Sequence, residues 1–310
     1  MSKSIKLVTG GCGFIGSNLV KFLCDHGHDV VIIDDLSSGR SFIDPRAKFI
    51  KGSIGDRRLL DVAIKGGDVV FHLAATGIIK ISLEKPVEYF DNNVMNGIAI
   101  LEAMRRHGIN KIVYSSSSGA YGEPKRIPIR EHDPKEPINP YGAAKLAFEH
   151  VLSAYYHSFG INSASFRYFN VYGPGDEQYP VTRAVPSWIK AALKNEQLNL
   201  YWGGKQKKDF VFVEDVVRAN YMAALKCKGL HVYNVGGDTG GIWMKDLAKK
   251  IEKIFGHKLK IKTMGARAGD PTYLIGDVSK IKKEMNWKPK FNLEEGLKRT
   301  IDYYARRIKK

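Results

Sequence analysis

Thr9-Gly10-Gly11-Cys12-Gly13-Phe14-Ile15-Gly16 sits between an apolar, strand-like run at residues 5–9 and a helix-spaced run at residues 14–26. Gly11, Gly13 and Gly16 satisfy Gly-x-Gly-x-x-Gly, and Gly10, Gly13 and Gly16 also satisfy Gly-x-x-Gly-x-x-Gly. Glycine here permits a tight turn and lets a pyrophosphate approach the backbone, while the helix start offers unsatisfied N–H groups and a partial positive charge. A glycine spacing alone is weak; its weight comes from the acidic end of the next strand, where Asp34 lies eighteen residues beyond Gly16 and Asp35 follows. A carboxylate at that place accepts hydrogen bonds from an adenosine ribose diol and repels the extra phosphate of NADP, so the pattern favours NAD. Arg40 is the nearby residue that would accommodate such a phosphate.

Outward from this turn, strand-like and helix-like runs alternate. Residues 30–33, 48–50, 69–73, 111–115 and 163–166 read as strands, and 86–107 and 141–159 as helices. Alternation of this kind implies βαβ units and a parallel sheet. The nearly continuous apolar character of the strands implies helices on both faces. The expected fold class is α/β: a Rossmann-type doubly wound parallel sheet with a smaller C-terminal α/β substrate lobe. Residues 170–186 are rich in Gly, Pro and Tyr and read as a functional loop; 186–195 read as a short helix. Residues 209–213 and 231–235 read as strands returning to the sheet, and 259–261 as a further strand. A dinucleotide-binding domain is thus expected over 1–168, with about 209–236 returning to it, and the substrate lobe over 169–208 and 237–310.

The 310 residues carry 49 Lys+Arg and 32 Asp+Glu, a formal charge of +17, with 44% hydrophobic residues. That composition supports a sizeable core and excludes a disordered or fibrous chain. No run of about 18 apolar residues marks a membrane span. Met1-Ser2-Lys3-Ser4 leads straight into the first strand with no export signal, so a cytoplasmic protein is expected. Cys12, Cys24 and Cys227 are scattered, which suits a reducing compartment and excludes a disulfide framework. The nine histidines show no ligand spacing, so no metal is expected. The basic clusters at 205–208, 280–283 and 306–310 are short and far apart, and read as solvated faces plus a phosphate site, without a nucleic-acid partner.

Tyr141 and Lys145 stand four apart in the expected helix, on one face. Alone the pair means little. It gains meaning because the strand at 111–115 runs into Ser115-Ser116-Ser117-Ser118-Gly119, and ligands bind at the carboxyl ends of parallel strands. A serine hydroxyl there can meet the tyrosine over a nicotinamide.

The chain resembles the extended short-chain dehydrogenases/reductases, specifically the NAD-dependent sugar-nucleotide epimerase/dehydratase family. The resemblance runs over nearly the whole length. It is carried by Gly10 to Gly16, Asp34-Asp35-Leu36, His72-Leu73-Ala74-Ala75, Asn92-Asn93-Val94, Ser115 to Gly122, Tyr141 to Lys145, Arg167-Tyr168-Phe169-Asn170-Val171-Tyr172-Gly173-Pro174 and Tyr233-Asn234-Val235-Gly236-Gly237. Within the family it is most similar to the UDP-galactose/UDP-glucose 4-epimerases. The resemblance implies Tyr141 as the acid/base, Lys145 as the group that holds the nicotinamide ribose and depresses the tyrosine pKa, and Ser117, with Ser116 as the alternative, as the hydroxyl on the reacting oxygen. It implies NAD held by Gly10, Gly13, Phe14, Ile15, Gly16, Asp34, Asp35, Ser37, Gly39, Ser53, Ile54, Leu73, Ala74, Ala75, Asn93, Ser115, Tyr141, Lys145 and Phe169. It further implies a nucleotide-diphosphate sugar, UDP-linked by preference, held by Ser117, Tyr141, Asn170, Arg183, Trp202, Lys208, Arg267 and Asp270, and a homodimer formed through the helices around 86–107 and 141–159.

Departures from the family pattern narrow the chemistry. Ser118 and Gly119 stand where dehydratases carry an acid pair, which disfavours 4,6-dehydration. Ser53 replaces the usual first Asp of the adenine segment, Lys208 replaces a phosphate-binding arginine, and Asn96-Gly97 replaces Gly-Thr. Lysine keeps the charge and loses the bidentate fork. Leu274 falls where side-chain size tunes acceptance of N-acetyl sugars in relatives. The expected reaction is 4-epimerisation through transient C4 oxidation. The alternatives are C2 or C3/C5 epimerisation, uronate decarboxylation or 4-keto reduction, and, outside enzymes, an NAD-sensing regulator.

Overall fold

The computed structural model describes residues 5–38, 43–177, 183–267 and 269–308. Seven strands build its central sheet: β1 (Ile5–Thr9), β2 (Asp29–Asp34), β3 (Lys48–Lys51), β4 (Gly67–His72), β5 (Lys111–Ser117), β6 (Asn162–Tyr168) and β7 (Leu230–Val235). Their order is 3-2-1-4-5-6-7, and every pairing is parallel. The chain leaves β1 toward β2 on one side and reaches β4 on the other, so a crevice opens at the carboxyl ends of β1 and β4.

Neighbouring residues on a strand point to opposite faces, and each central strand supplies both. Leu7, Ile33, Val70 and Ile112 enter one apolar cluster, while Val8, Ile32, Phe71 and Val113 enter the other. The second cluster is closed by α1 (Phe14–Asp25) through Leu19, Val20 and Leu23, and by α5 (Val213–Lys226) through Val216, Val217 and Ala223. The first is closed by α2 (Asn96–Arg106) through Ile100, Leu101 and Met104, and by α3 (Pro140–Phe159) through Phe148 and Leu152. Each such side chain contributes roughly 1.5–3 kcal/mol on full burial, which is why both faces must be covered.

Three further helices surround a separate apolar cluster: α4 (Ala184–Leu193), α6 (Met244–Phe255) and α7 (Leu293–Ile308) bring Trp188, Ile189, Leu247, Ile251, Leu297 and Tyr304 together. Small strand pairs frame it. Leu198–Tyr201 pairs with Ile261–Met264, and Lys207–Lys208 lies between Ile242–Trp243 and Tyr273–Leu274. Of the two strands expected to return to the central sheet, Leu230–Val235 joins it as β7. The other, Phe210–Phe212, instead pairs in parallel with Asn170–Tyr172. Asp209 explains the diversion: its backbone O accepts from both the N–H and the side-chain amide of Asn170, which docks this strand on the segment just past β6.

The helix expected over 86–107 is interrupted. Pro86–Phe90 passes through a π-helical turn, Asp91–Met95, into α2. The turn aims two side chains at the loop after β4. The Asn93 amide accepts from Thr76 N and donates to Thr76 O, and Asn92 Nδ2 donates to Thr76 Oγ1. π-turns of this kind favour functional sites. The Asn96-Gly97 departure also finds its reason here: a Cβ on Gly97 would stand 2.5 Å from the Phe148 ring, so glycine lets α2 lie against α3.

Candidate active site

The glycine turn is shaped by close approach. Gly10 has φ +71°, and a Cβ on it would lie 2.6 Å from Ala74 N; one on Gly16 would lie 2.0 Å from Gly10 O. Gly13 is different: a Cβ there would approach nothing nearer than Gly10 O at 3.4 Å, so its face looks into the crevice. Gly13 is also the N-cap of α1, and no side chain caps that helix. The turn thus presents backbone N–H groups and the positive end of the helix to the crevice, the donor set a dinucleotide pyrophosphate requires. Gly11 takes no part in this; its Cβ would press on Ile32.

Asp34 closes the turn from β2. Its oxygens accept from Cys12 N at 2.9 Å and Leu36 N at 2.8 Å, and burial pushes its pKa up. Asp35 accepts from the N–H and hydroxyl of Ser37, so that pair braces the loop itself. Gly39 and Arg40 lie outside the described residues. Ser53 Oγ accepts from Gly55 N, and Ile54 packs in the core; both therefore shape the turn after β3. Leu73 and Ala75 line the crevice, while Ala74 N donates to Thr9 Oγ1 beneath it. Asn93, with both ends of its amide bound to Thr76, positions the loop after β4.

The crevice widens into a cleft of about 840 Å³ that runs from the glycine turn past β5 and β6 to α4 and the 266–274 segment. Helix α3 delivers the tyrosine and lysine. Asn139 caps it by accepting from Gly142 N at 2.8 Å, Pro140 opens its first turn, and Gly160 ends it in the left-handed region. A Cβ on Gly142 would lie 2.3 Å from Gly119 O, so α3 presses closely on the turn Ser118–Tyr121. That contact sets Tyr141 and Ser117 together on the cleft wall, where Ser117 pulls the phenol pKa down. Ser117 Oγ also accepts from Gly119 N. Ser116 turns the other way and donates to Glu149 at 2.5 Å, which separates the two serines the sequence leaves open.

Lys145 Nζ donates to Ser115 O at 2.7 Å and lies 5.0 Å from the Tyr114 ring centre and 5.9 Å from that of Tyr141. Burial pulls its pKa down to about 7, against the opposing charge of Glu149. Tyr141 corrects the expected electrostatics. Burial raises its pKa, and the groups that pull it back are Ser117 and Arg183, not Lys145. The reason is the posture of the lysine, whose ammonium is held on the Ser115 carbonyl.

Arg183, at the start of α4, lines the cleft. Its Nη1 donates to Asp176 at 2.8 Å, and its guanidinium lies 5.3 Å from the Phe14 ring centre. Phe169 and Asn170 line the cleft at the end of β6. Arg267 and Asp270 line its far side, with Arg267 lying 5.5 Å from the Tyr201 ring centre. Lys208 does not stand free for a phosphate: its Nζ donates to Asp270 Oδ1 at 2.8 Å and to Pro271 O, while Gln206 donates to Asp270 Oδ2. Lysine replaces arginine here as a buried prop for Asp270. Trp202 is not among the cleft-lining side chains. It leaves the strand at φ +52°, and its indole N–H finds no acceptor among the described residues. Among the aromatics on the cleft wall is Tyr201, one residue earlier, which nothing in the sequence pattern singles out. Among the described residues no group of His, Cys, Asp and Glu is placed to hold a metal.

The model of the NAD dependent epimerase/dehydratase family matches residues 6–236. The UDP-glucose 4-epimerase of Corynebacterium glutamicum is 35% identical over 298 residues, covering 91% of this chain and 90% of that protein. Among solved structures, UDP-glucose 4-epimerase of Thermotoga maritima with UDP-glucose superposes with a TM-score of 0.93 at 35% identity, over 98% of this chain and 99% of that one. A UDP-N-acetylglucosamine 4-epimerase from Methanobrevibacter ruminantium M1, in complex with UDP-N-acetylmuramic acid, gives 0.92 at 32% identity, over 99% and 100%. A glycine cradle at the sheet's switch point and a Tyr-x-x-x-Lys helix beside a serine strand end agree with these likenesses, and the chain belongs to the NAD-dependent epimerase/dehydratase family.

Proposed function

We propose that this protein is an NAD-dependent 4-epimerase of UDP-linked hexoses or N-acetylhexosamines. The observation that carries the reading is Tyr141 set beside Ser117 on the cleft wall, with Ser118 and Gly119 next to them where a dehydratase would need acids. Gly10, Gly13 and Gly16 with the start of α1 would hold the cofactor diphosphate, and Asp34 the adenosine ribose. Bound NAD supplies hydride exchange at C4 of the sugar and a positive ring near the phenol.

Tyr141 takes the proton from O4 as the sugar is oxidised and returns it when the sugar is reduced on its opposite face. Ser117 holds the reacting oxygen during both steps. Lys145, its ammonium on the Ser115 carbonyl, holds the nicotinamide ribose, and Arg183 is the protein cation that acts on the phenol. Bringing a phenol from near 10 to near 7 takes about 4 kcal/mol of preferential phenolate stabilisation, and cations beside it are the means. Arg267 and Asn170 hold the nucleotide diphosphate, Asp270 holds the nucleotide ribose, and Tyr201 offers a ring to the base.

Leu83, Val87, Phe90, Met95 and Phe159 lie exposed on the helices from 79 to 106 and on α3. We read this face as the contact between two copies of the chain. We place the protein in the cytoplasm; among the described residues no helix is long and apolar enough to cross a membrane, and Cys12, Cys24 and Cys227 are free thiols.

The test is a panel of UDP-glucose, UDP-galactose and their N-acetyl forms, followed by NMR. Interconversion at C4 without net change in nicotinamide absorbance is expected. A net absorbance change would show a reductase, released CO₂ a decarboxylase, and no turnover with any nucleotide would overturn the reading.

A further inference from the structure

We infer that Glu149 is a positioning residue of this active site: from one carboxylate it fixes Ser116 on β5 and faces Lys145 on its own helix, while Arg167 of β6 holds that carboxylate in place. The inference rests on the reading of Lys145 as a working cation.

Tyr141, Lys145 and Glu149 follow one another at four-residue steps, so α3 turns all three toward the sheet. Glu149 is 7% exposed and Arg167 3%. Arg167 Nε donates to Glu149 Oε1 at 3.0 Å and Nη2 to Oε2 at 2.5 Å, a bidentate fork that fixes the carboxylate plane. Ser116 Oγ donates to Oε1 of the same carboxylate. Ser115, which carries the carbonyl that Lys145 grips, and Ser117, which meets Tyr141, flank Ser116 in the chain. The carboxylate therefore anchors the middle of a three-residue stretch whose two ends both touch the candidate catalytic pair.

Arg167 is itself held. Its Nη1 donates to Tyr121 Oη at 2.9 Å and to Glu131 O at 3.0 Å, and Tyr121 donates on to Asn234 of β7. A buried ion pair adds little stability over apolar side chains of the same volume. Fold stability alone thus gives no reason for placing one directly behind Ser116 and Lys145.

The charged and titratable groups around the carboxylate are Arg167 from β6, Tyr114 from β5, Tyr121 from the turn after β5, Lys135 from the following loop and Lys145 from α3. Those facing Lys145 are Glu149, Tyr114, Tyr141 and His72. Glu149 is the one that favours the charged ammonium, against burial. Removing its charge lowers the Lys145 pKa further, so the ammonium is lost at lower pH.

The experiment compares Glu149→Gln, Glu149→Asp and the double variant Glu149→Gln/Arg167→Met, which leaves no lone buried ion. Lys145 is titrated by NMR in protein carrying ¹³C-labelled lysine, with Lys145→Arg identifying its signal, and the pH profile of kcat is measured in parallel. The Lys145 midpoint is expected to fall by about one pH unit in Glu149→Gln and in the double variant, and to stay near the native value in Glu149→Asp. The alkaline limb of kcat should move with it. Folded variants whose Lys145 midpoint stays within a few tenths of a unit would overturn the inference. So would failure of both Gln-containing variants to fold, which would make the pair a requirement of the fold. If the midpoint falls and the kcat limb stays, Glu149 does set the state of Lys145, and the reading of Lys145 as the working cation is the part that fails.

Discussion

Tyr141 is the residue on which the proposed chemistry turns, and its surroundings predict its behaviour. Replacing it with Phe removes the proton-transfer group and keeps the ring. The expected result is a kcat loss of about 10²–10⁴-fold, typical of losing a general acid/base, with KM for the nucleotide sugar little changed. Steady-state kinetics with UDP-glucose checks it. A second expectation concerns Arg183, whose charge pulls the phenol pKa down against burial. The phenol must ionise to act as a base, so activity rises with pH through its pKa. In Arg183→Leu that pKa rises, and the acidic limb of kcat should move to higher pH, while Arg183→Lys should keep most of the native profile. A pH–rate series on the three proteins decides it.

Helix α3 and the Ser118–Tyr121 turn form the element pair that sets the active-site spacing. Gly142→Ala would drive a methyl into Gly119 O. The expected response is a small retreat of α3 that parts Tyr141 from Ser117. Misplacement by about 1 Å can cost on the order of 10²-fold in rate, so kcat should fall far more than thermal stability does. Calorimetry beside kinetics separates the two effects. What could be read before folding follows the same scale. The glycine turn, Asp34, and the Tyr141–Lys145 pair were legible because their partners lie within one turn or one βα unit. The placing of Ser116 and Ser117 was not, since it depends on which face of β5 meets α3. Tyr201 was missed for Trp202 because a residue's type does not reveal that the chain turns at φ +52° and carries the indole out of the cleft. Lys208 and Asp270 were read as two ligand groups; only the small sheet joining Lys207–Lys208 to Tyr273–Leu274 makes them partners. Glu149 and Arg167 stand eighteen residues apart on different elements, and nothing in either local pattern announces the pair.

At the scale of the molecule, five of the eleven exposed large apolar side chains among the described residues lie on the helices from 79 to 106 and on α3. Val87 is 71% exposed and Met95 57%, beside Leu83, Phe90 and Phe159. Apolar side chains left exposed near one another favour association. If this face joins two copies as proposed, the native protein is expected to scatter as a dimer after gel filtration and a Val87→Asp/Met95→Asp variant to shift toward monomer. The +17 charge acts differently. Many of its lysines and arginines are met by carboxylates at the surface, such as Arg106 with Asp61 and Arg299 with Glu214, and surface pairs of this kind contribute about 0–1 kcal/mol each. The excess is better understood as a field that favours anionic ligands than as a source of stability.

One tether joins the two ends of this design. The Tyr304 hydroxyl on α7 donates to Asp176 O, and the Asp176 carboxylate holds Arg183 over Phe14 of the glycine turn. The last helix of the fold therefore works as a strut behind the mouth of the cleft, although none of its described residues lines the cleft. Tyr304→Phe should loosen that strut: the dinucleotide would leave more readily on dilution and dialysis, seen as a falling ratio of absorbance at 260 to 280 nm, before any change in how well the protein withstands heat.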